Sequence, residues 1–158
     1  MALLKQNFVK YGLLMSAATA LCILYVHATG GYSNQQNIGK SPVEFVFIVF
    51  VPLIIWYLGI SARKKQLKGK MSYKEGLIEG VKISLAYGVS SPFVYLIYYT
   101  FINPEVLSFM RKEYGLKNVS DTVVIIFDML VQFFAAVVFG TIYGAIVSIF
   151  LRSKKKLK

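Results

Sequence analysis

Four apolar stretches, at about 8–27, 43–60, 80–102 and 123–151, decide what this chain can become. Each is long enough to cross a ~30 Å hydrocarbon layer as a helix, which takes about 20 residues. In such a layer a lone segment must satisfy its backbone hydrogen bonds within itself, so the stretches read as helices rather than strands. The 158 residues then resolve into one all-α domain, a polytopic membrane protein with four transmembrane helices in an antiparallel bundle. Charge supports this: only 16% of residues are charged, against about 25% in a soluble domain. The first stretch, with Lys5 and Lys10 before it and "VHA" before Thr29, also suits a cleavable leader, but is read as a retained span.

The net charge of +11 raises nucleic acid as a partner, and its placement argues against it. Basic residues gather in "ARKKQLKGK" and "RSKKKLK", directly against apolar runs and without interleaved aromatic side chains. Lys5 and Lys10, six basic residues between 63 and 74, and five between 152 and 158 flank one set of span ends; Lys40, Arg111, Lys112 and Lys117 flank the other. The excess of positive charge on cytoplasmic loops places both termini and the 63–74 turn inside, against anionic lipid headgroups. Lys82 lies just within the third span, where it can snorkel to the same surface.

Two helix starts are written in the sequence. "SPVE" (Ser41 to Glu44) has the spacing of a capping box with proline at the first helical position, which assigns Glu44 to capping. "SYKE" (Ser72 to Glu75) is a second box and starts the third helix near Tyr73, ahead of the lipid.

A carboxylate inside the fourth stretch, in "IIFDMLVQFF", needs a depth. With Leu151 at the inner edge and the midplane near Thr141, Asp128 stands thirteen residues above the midplane. At 1.5 Å per residue that is ~20 Å, beyond the ~15 Å half-thickness of the hydrocarbon. Asp128 is thus expected in the hydrated outer interface. It shares a face with Gln132 and fastens the outer loop or the top of the third helix, near Asn103 or the Arg111–Lys112 pair. Tyr95, Tyr98 and Tyr99 read as interface belt residues.

Small residues recur every four positions on two helices: Gly76, Gly80, Ser84 and Gly88 on the third, Ala136, Gly140, Gly144 and Ser148 on the fourth. Such stripes let helix backbones approach in lipid. Counting depth from Gly80 places Gly88 opposite Gly144 and Ser84 opposite Ser148. Leu at Gly144 is expected to disrupt this contact and Ala to be much milder. Near the midplane, Pro92 frees the carbonyl of Gly88, and Tyr87, Ser90, Ser91, Thr141 and Tyr143 form a polar cluster. These groups either satisfy one another or line a small binding cavity at a broken helix.

Catalytic patterns are missing from the sequence. Cys22 and His27 are the sole residues of their types, which leaves no disulfide and points away from metal sites, and no cofactor is expected.

The chain resembles the Gram-negative bacterial membrane family called domain of unknown function 4199. The likeness rests on Gly12, on "ARKKQLKGK" followed by "MSYKEGLIEGVK", on "FINPEVL", in which "INPE" (Ile102 to Glu105) is the most telling match, and on the closing small-residue span with its lysine tail. The resemblance implies a multi-pass protein of the inner membrane and supplies no catalytic residues. The expectation is a non-catalytic accessory or assembly subunit, partnered by another membrane protein or by its own copies; the alternative is a small transporter, flippase-like protein or pore.

Overall fold

The computed structural model describes residues 6–30, 42–116 and 119–153, and among them every regular element is helical. Helix α1 runs Asn7–Ala28, α2 Pro42–Gln66, α3 Tyr73–Ile97, α4 Val106–Glu113 and α5 Asp121–Leu151. A π-helical turn, Tyr98–Ile102, continues α3. Four helices are long and apolar enough to cross a membrane: α1, α2, α3 with its π turn, and α5.

The bundle buries polar side chains and turns large apolar ones outward. Ser16, Thr19, Ser84, Ser91, Asp128 and Ser148 are buried, while Leu21, Phe45, Phe101, Phe134 and Phe150 are exposed. Water would penalise that arrangement and lipid favours it. Apolar side chains gain little by leaving lipid for a protein interior, so small and polar residues take the helix contacts.

Helices α3 and α5 share the most extensive contact, followed by α1 and α3, and α2 touches α1, α3 and α5. The start of α1, the α2–α3 turn and the end of α5 meet at one end of the bundle. There the Ser153 amide donates to the Met71 carbonyl (2.8 Å) and the Met71 amide donates to Ser153 Oγ (3.0 Å). Lys10, Arg63, Lys64, Lys68, Lys74 and Arg152 collect at this basic end.

Local chemistry sets the boundaries at that end. Ser72 and Glu75 form the capping box: Ser72 Oγ accepts from the Glu75 amide (3.2 Å), and Glu75 Oε2 accepts from the Ser72 amide (2.7 Å). Helix α2 closes with the Gly69 amide bonded to the Lys64 carbonyl (2.9 Å), which puts Lys68 in the left-handed region at φ 53°.

The far end holds an element that span counting does not anticipate. Residues 106–113 form α4, whose Leu107 and Met110 are buried with Ile23, Tyr98, Tyr99 and Val124. The loop after α3 thus folds back as a cover over the bundle. A left-handed Gly115, φ 64°, ends α4.

Candidate functional site

The α3–α5 seam is a backbone contact. A Cβ placed on Gly80 would lie 2.7 Å from Gly144 Cα, and one on Gly76 would lie 3.0 Å from Ser148 Cβ. A Cβ on Gly140 would meet the side chain of Ser84, and one on Gly88 would stand 3.3 Å from the Phe133 carbonyl oxygen. Gly76 therefore faces Ser148, Gly80 faces Gly144, Ser84 faces Gly140, and Gly88 packs one turn beyond, beside Phe133 and Val137 and near the buried Ala136.

This register corrects the depth-based one, which set Gly88 opposite Gly144 and Ser84 opposite Ser148. The difference is two turns, ~12 Å. Its cause is the segment Tyr73–Glu79, which pairs with the last turns of α5 instead of preceding the contact. At Gly144 a Cβ would lie 3.0 Å from Gly80 Cα, so alanine asks the facing backbone to give by a few tenths of an ångström and leucine asks for far more.

Trp56 of α2 locks the seam from one side. Its ring is 1% exposed, its Nε1–H donates to the Gly80 carbonyl (3.3 Å), and its Cζ2 would lie 2.7 Å from a Cβ on Gly140. Ser84 Oγ donates to the same Gly80 carbonyl (2.8 Å). One turn away, Pro52 interrupts α2 and cannot donate to the carbonyl of Ile48. Tyr143 of α5 supplies the donor: its hydroxyl reaches that carbonyl at 2.9 Å. Tyr143 thus repairs a helix that a proline has opened.

The midplane residues turn their hydroxyls to different helices, although the rings of Tyr87 and Tyr143 both flank Trp56. Ser90 Oγ lies 2.6 Å from Ser16 Oγ, and the Tyr87 hydroxyl lies 3.1 Å from Thr19 Oγ1, so both turn toward α1. Thr141 donates back to its own helix at the Val137 carbonyl (2.7 Å), and Tyr143 turns to α2. Ser91 and Pro92 are buried within α3. The partners on α1 were legible as a stripe, Gly12–Ser16–Thr19, that the sequence reading passed over. A Cβ on Gly12 would stand 2.5 Å from Ala86 Cβ and 2.9 Å from the Tyr87 amide nitrogen, which accounts for a glycine at this crossing.

Asp128 differs from its expected setting. It is 1% exposed, and each carboxylate oxygen accepts a tyrosine hydroxyl: Tyr99 at Oδ2 (2.9 Å) and Tyr114 at Oδ1 (2.8 Å). Gln132, one turn along α5, is a third hydrogen-bonding side chain. Neither Asn103 nor Arg111 serves Asp128: Asn103 donates to the Tyr98 hydroxyl (3.2 Å), and Arg111 pairs with Asp121. The carboxylate is enclosed because α4 and the residues after it cover the end that depth counting leaves open to water. The same cover buries Tyr98 and Tyr99, which therefore face inward rather than form a belt. The outer loop and the top of α3 are tied to α5 through Asp128.

A cavity of about 340 Å³ lies between α1, α2, α3 and α5. Its walls are mainly apolar, with Thr19, Cys22, Glu44, Tyr87, Tyr95 and Gln132 supplying polar groups. Glu44 is 8% exposed and lines this cavity from the first turn of α2. Ser41, its expected capping partner, lies outside the described residues. Glu44 stands in the first turn of α2, where its sequence context put it, and from there also lines the cavity. The signal available was a carboxylate beside an apolar span, and capping chemistry absorbed it.

Among the described residues no group of three or more His, Cys, Asp or Glu side chains is placed to hold a metal ion. His27 is exposed at the far end, where Nδ1 lies 3.0 Å from the Tyr98 hydroxyl. What the arrangement offers is packing, internal hydrogen bonding and the cavity between α1, α2, α3 and α5.

No curated protein and no solved structure matches the chain. A family model described as "Protein of unknown function (DUF4199)" matches residues 10–153, from the first turn of α1 to the end of α5. A match of that extent takes in all four long helices and the cavity between them, and the chain belongs to the DUF4199 family.

Proposed function

We propose that this protein is a non-catalytic integral protein of the bacterial inner membrane that serves as an accessory or assembly subunit. The observation that carries the reading is how the interior polar groups are engaged. Ser16 meets Ser90, Thr19 meets Tyr87, Tyr143 holds the Ile48 carbonyl, and Asp128 is held by two tyrosines. These contacts join helices to each other. They set up no nucleophile beside a base, the arrangement a hydrolytic or transfer reaction needs.

Both termini and the 63–74 turn face the cytoplasm in this reading. The support is the basic end of the bundle, where lysines and arginines lie against apolar helix ends and meet anionic headgroups. The partner is another membrane protein, or further copies of the chain.

The test is crosslinking in intact cells followed by purification in mild detergent and mass spectrometry. A membrane protein recovered in fixed stoichiometry supports the accessory role. A homo-oligomer that carries solute flux in liposomes overturns it. That second outcome belongs to the alternative, a small transporter or flippase-like protein, and the cavity is the observation that favours it.

A further inference from the structure

Asp128 is held by two tyrosines and Glu75 by its capping box. Glu79, one turn along α3 from Glu75, is held by neither kind of contact. It is 5% exposed, and among the described residues it makes no hydrogen bond and no salt bridge. Its surroundings follow from the helix register. A Cβ on Gly59 would lie 2.5 Å from Ile83 Cδ1 and 3.1 Å from Tyr11 Cγ, so α1, α2 and α3 meet at that level. Four residues toward the basic end, on the same helix faces, stand Asn7 of α1, Arg63 of α2 and Glu79 of α3. Asn7 Nδ2 is buried with no hydrogen-bond partner. The charges of Arg63 and Lys82 reach Glu79. Arg63 itself donates to Gln66 Oε1 (3.2 Å), and Lys82 Nζ lies 5.9 Å from the centre of the Phe8 ring. A buried acid, an unused amide donor and two cations that stop short of the acid thus share one level at the basic end of the bundle.

We propose that this level binds the headgroup of a phosphatidylethanolamine molecule, with the ammonium on Glu79, the phosphate against Arg63 and Lys82, and Asn7 as a further donor to the phosphate oxygens. Charge complementarity selects this class. A carboxylate buried without a partner is costly, and a ligand ammonium removes that cost. A plain anion would meet Glu79, and a plain cation would meet Arg63 and Lys82. A zwitterion with an ammonium and a phosphate a few bonds apart meets both signs. So little of Glu79 is open that the ammonium must be small, and a charge-assisted hydrogen bond requires N–H donors. The trimethylated choline headgroup lacks both properties. Lipid headgroups also surround this end of the bundle, since it closes the apolar spans with basic side chains.

The site is independent of the accessory role and of which way the chain is inserted, so the capture of a partner protein neither supports nor removes it. It also needs no transport step.

The full chain in mild detergent is titrated with phosphatidylethanolamine and, in parallel, with phosphatidylcholine of the same acyl chains, and bound lipid is counted by native mass spectrometry. Phosphatidylethanolamine is expected to bind about tenfold more tightly. Glu79→Gln should lower it to the level of phosphatidylcholine and leave phosphatidylcholine unchanged. Arg63→Gln should weaken both lipids and preserve their ratio, because both carry the phosphate. Equal affinity of the two lipids for the unsubstituted protein, or a folded Glu79→Gln that keeps the preference, would overturn the proposal. Where Glu79→Gln does not fold, Arg63→Gln decides: unchanged binding of both lipids removes the phosphate contact and the site with it. Glycerophosphoethanolamine, which has the same charged groups and no acyl chains, is expected not to compete. Displacement by it would overturn the lipid assignment and give the site to a soluble phosphoamine.

Discussion

Replacing Tyr143 by Phe tests whether α5 repairs the proline break in α2. The Ile48 carbonyl has lost its helical donor to Pro52 and accepts the Tyr143 hydroxyl at 2.9 Å. Tyr143→Phe keeps the ring beside Trp56 and removes only that donor. An acceptor left without a partner away from water costs about 1–3 kcal/mol in soluble proteins. Hydrogen bonds within membrane bundles are weaker, averaging ~0.6 kcal/mol with a maximum near 1.7. Because this carbonyl has no amide four residues on, the cost should fall near the upper membrane value, about 1–1.7 kcal/mol. On a Pro52→Ala background the helix supplies its own amide to Ile48. The same Tyr143→Phe change should then cost only a few tenths, so the coupling between the two positions is roughly 1 kcal/mol. Unfolding by sodium dodecyl sulfate in mixed micelles, followed by Trp56 fluorescence and by helicity, measures all four corners of the cycle. Equal costs on both backgrounds would refute the repair and reduce Tyr143 to a packing residue.

Other predictions follow from the seam, the carboxylate and the turn. Gly80→Ala should destabilise the fold by about 1–3 kcal/mol through overpacking, and by more than Gly144→Ala, because its new Cβ would come 2.7 Å rather than 3.0 Å from the opposing Cα; the same unfolding assay gives the order. Tyr114→Phe removes one donor to Asp128 at a cost of about 1.5–3 kcal/mol for a charged acceptor and should expose residues 103–116 to protease, whereas continued protection would mean that α4 is held by Leu107 and Met110 alone. Lys68→Gly relieves a left-handed backbone position and should stabilise by about 1 kcal/mol; a loss of stability would show that the lysine side chain matters more than its φ. For orientation, Lys65→Cys should resist an impermeant thiol reagent applied to intact spheroplasts and Ser108→Cys should react, and the reverse pattern would invert the proposed topology.

The sequence by itself determined the class of structure. Four apolar runs of membrane length, with most basic residues gathered at their ends, allow little except a helical bundle, because backbone satisfaction in lipid is a local requirement that each segment meets alone. The Ser72–Glu75 cap and the small-residue stripes are local in the same sense: residues three or four apart share a helix face wherever the helix goes. What those stripes touch is not local. Gly144 meets Gly80 rather than Gly88 because the first two turns of α3, Tyr73–Glu79, pair with the end of α5 and shift the contact by two turns. The sequence carries the spacing of each stripe but not the offset between them. Asp128 shows the same limit from the side of burial. Depth along α5 placed it in water, and only the folding back of α4, with Tyr114 behind it, encloses the carboxylate. Glu44 reads as a cap from its neighbours in the chain and lines a cavity because α1, α3 and α5 stand around it. The environment of a polar side chain is made by residues far away in sequence, and it exists only once the helices have been brought together.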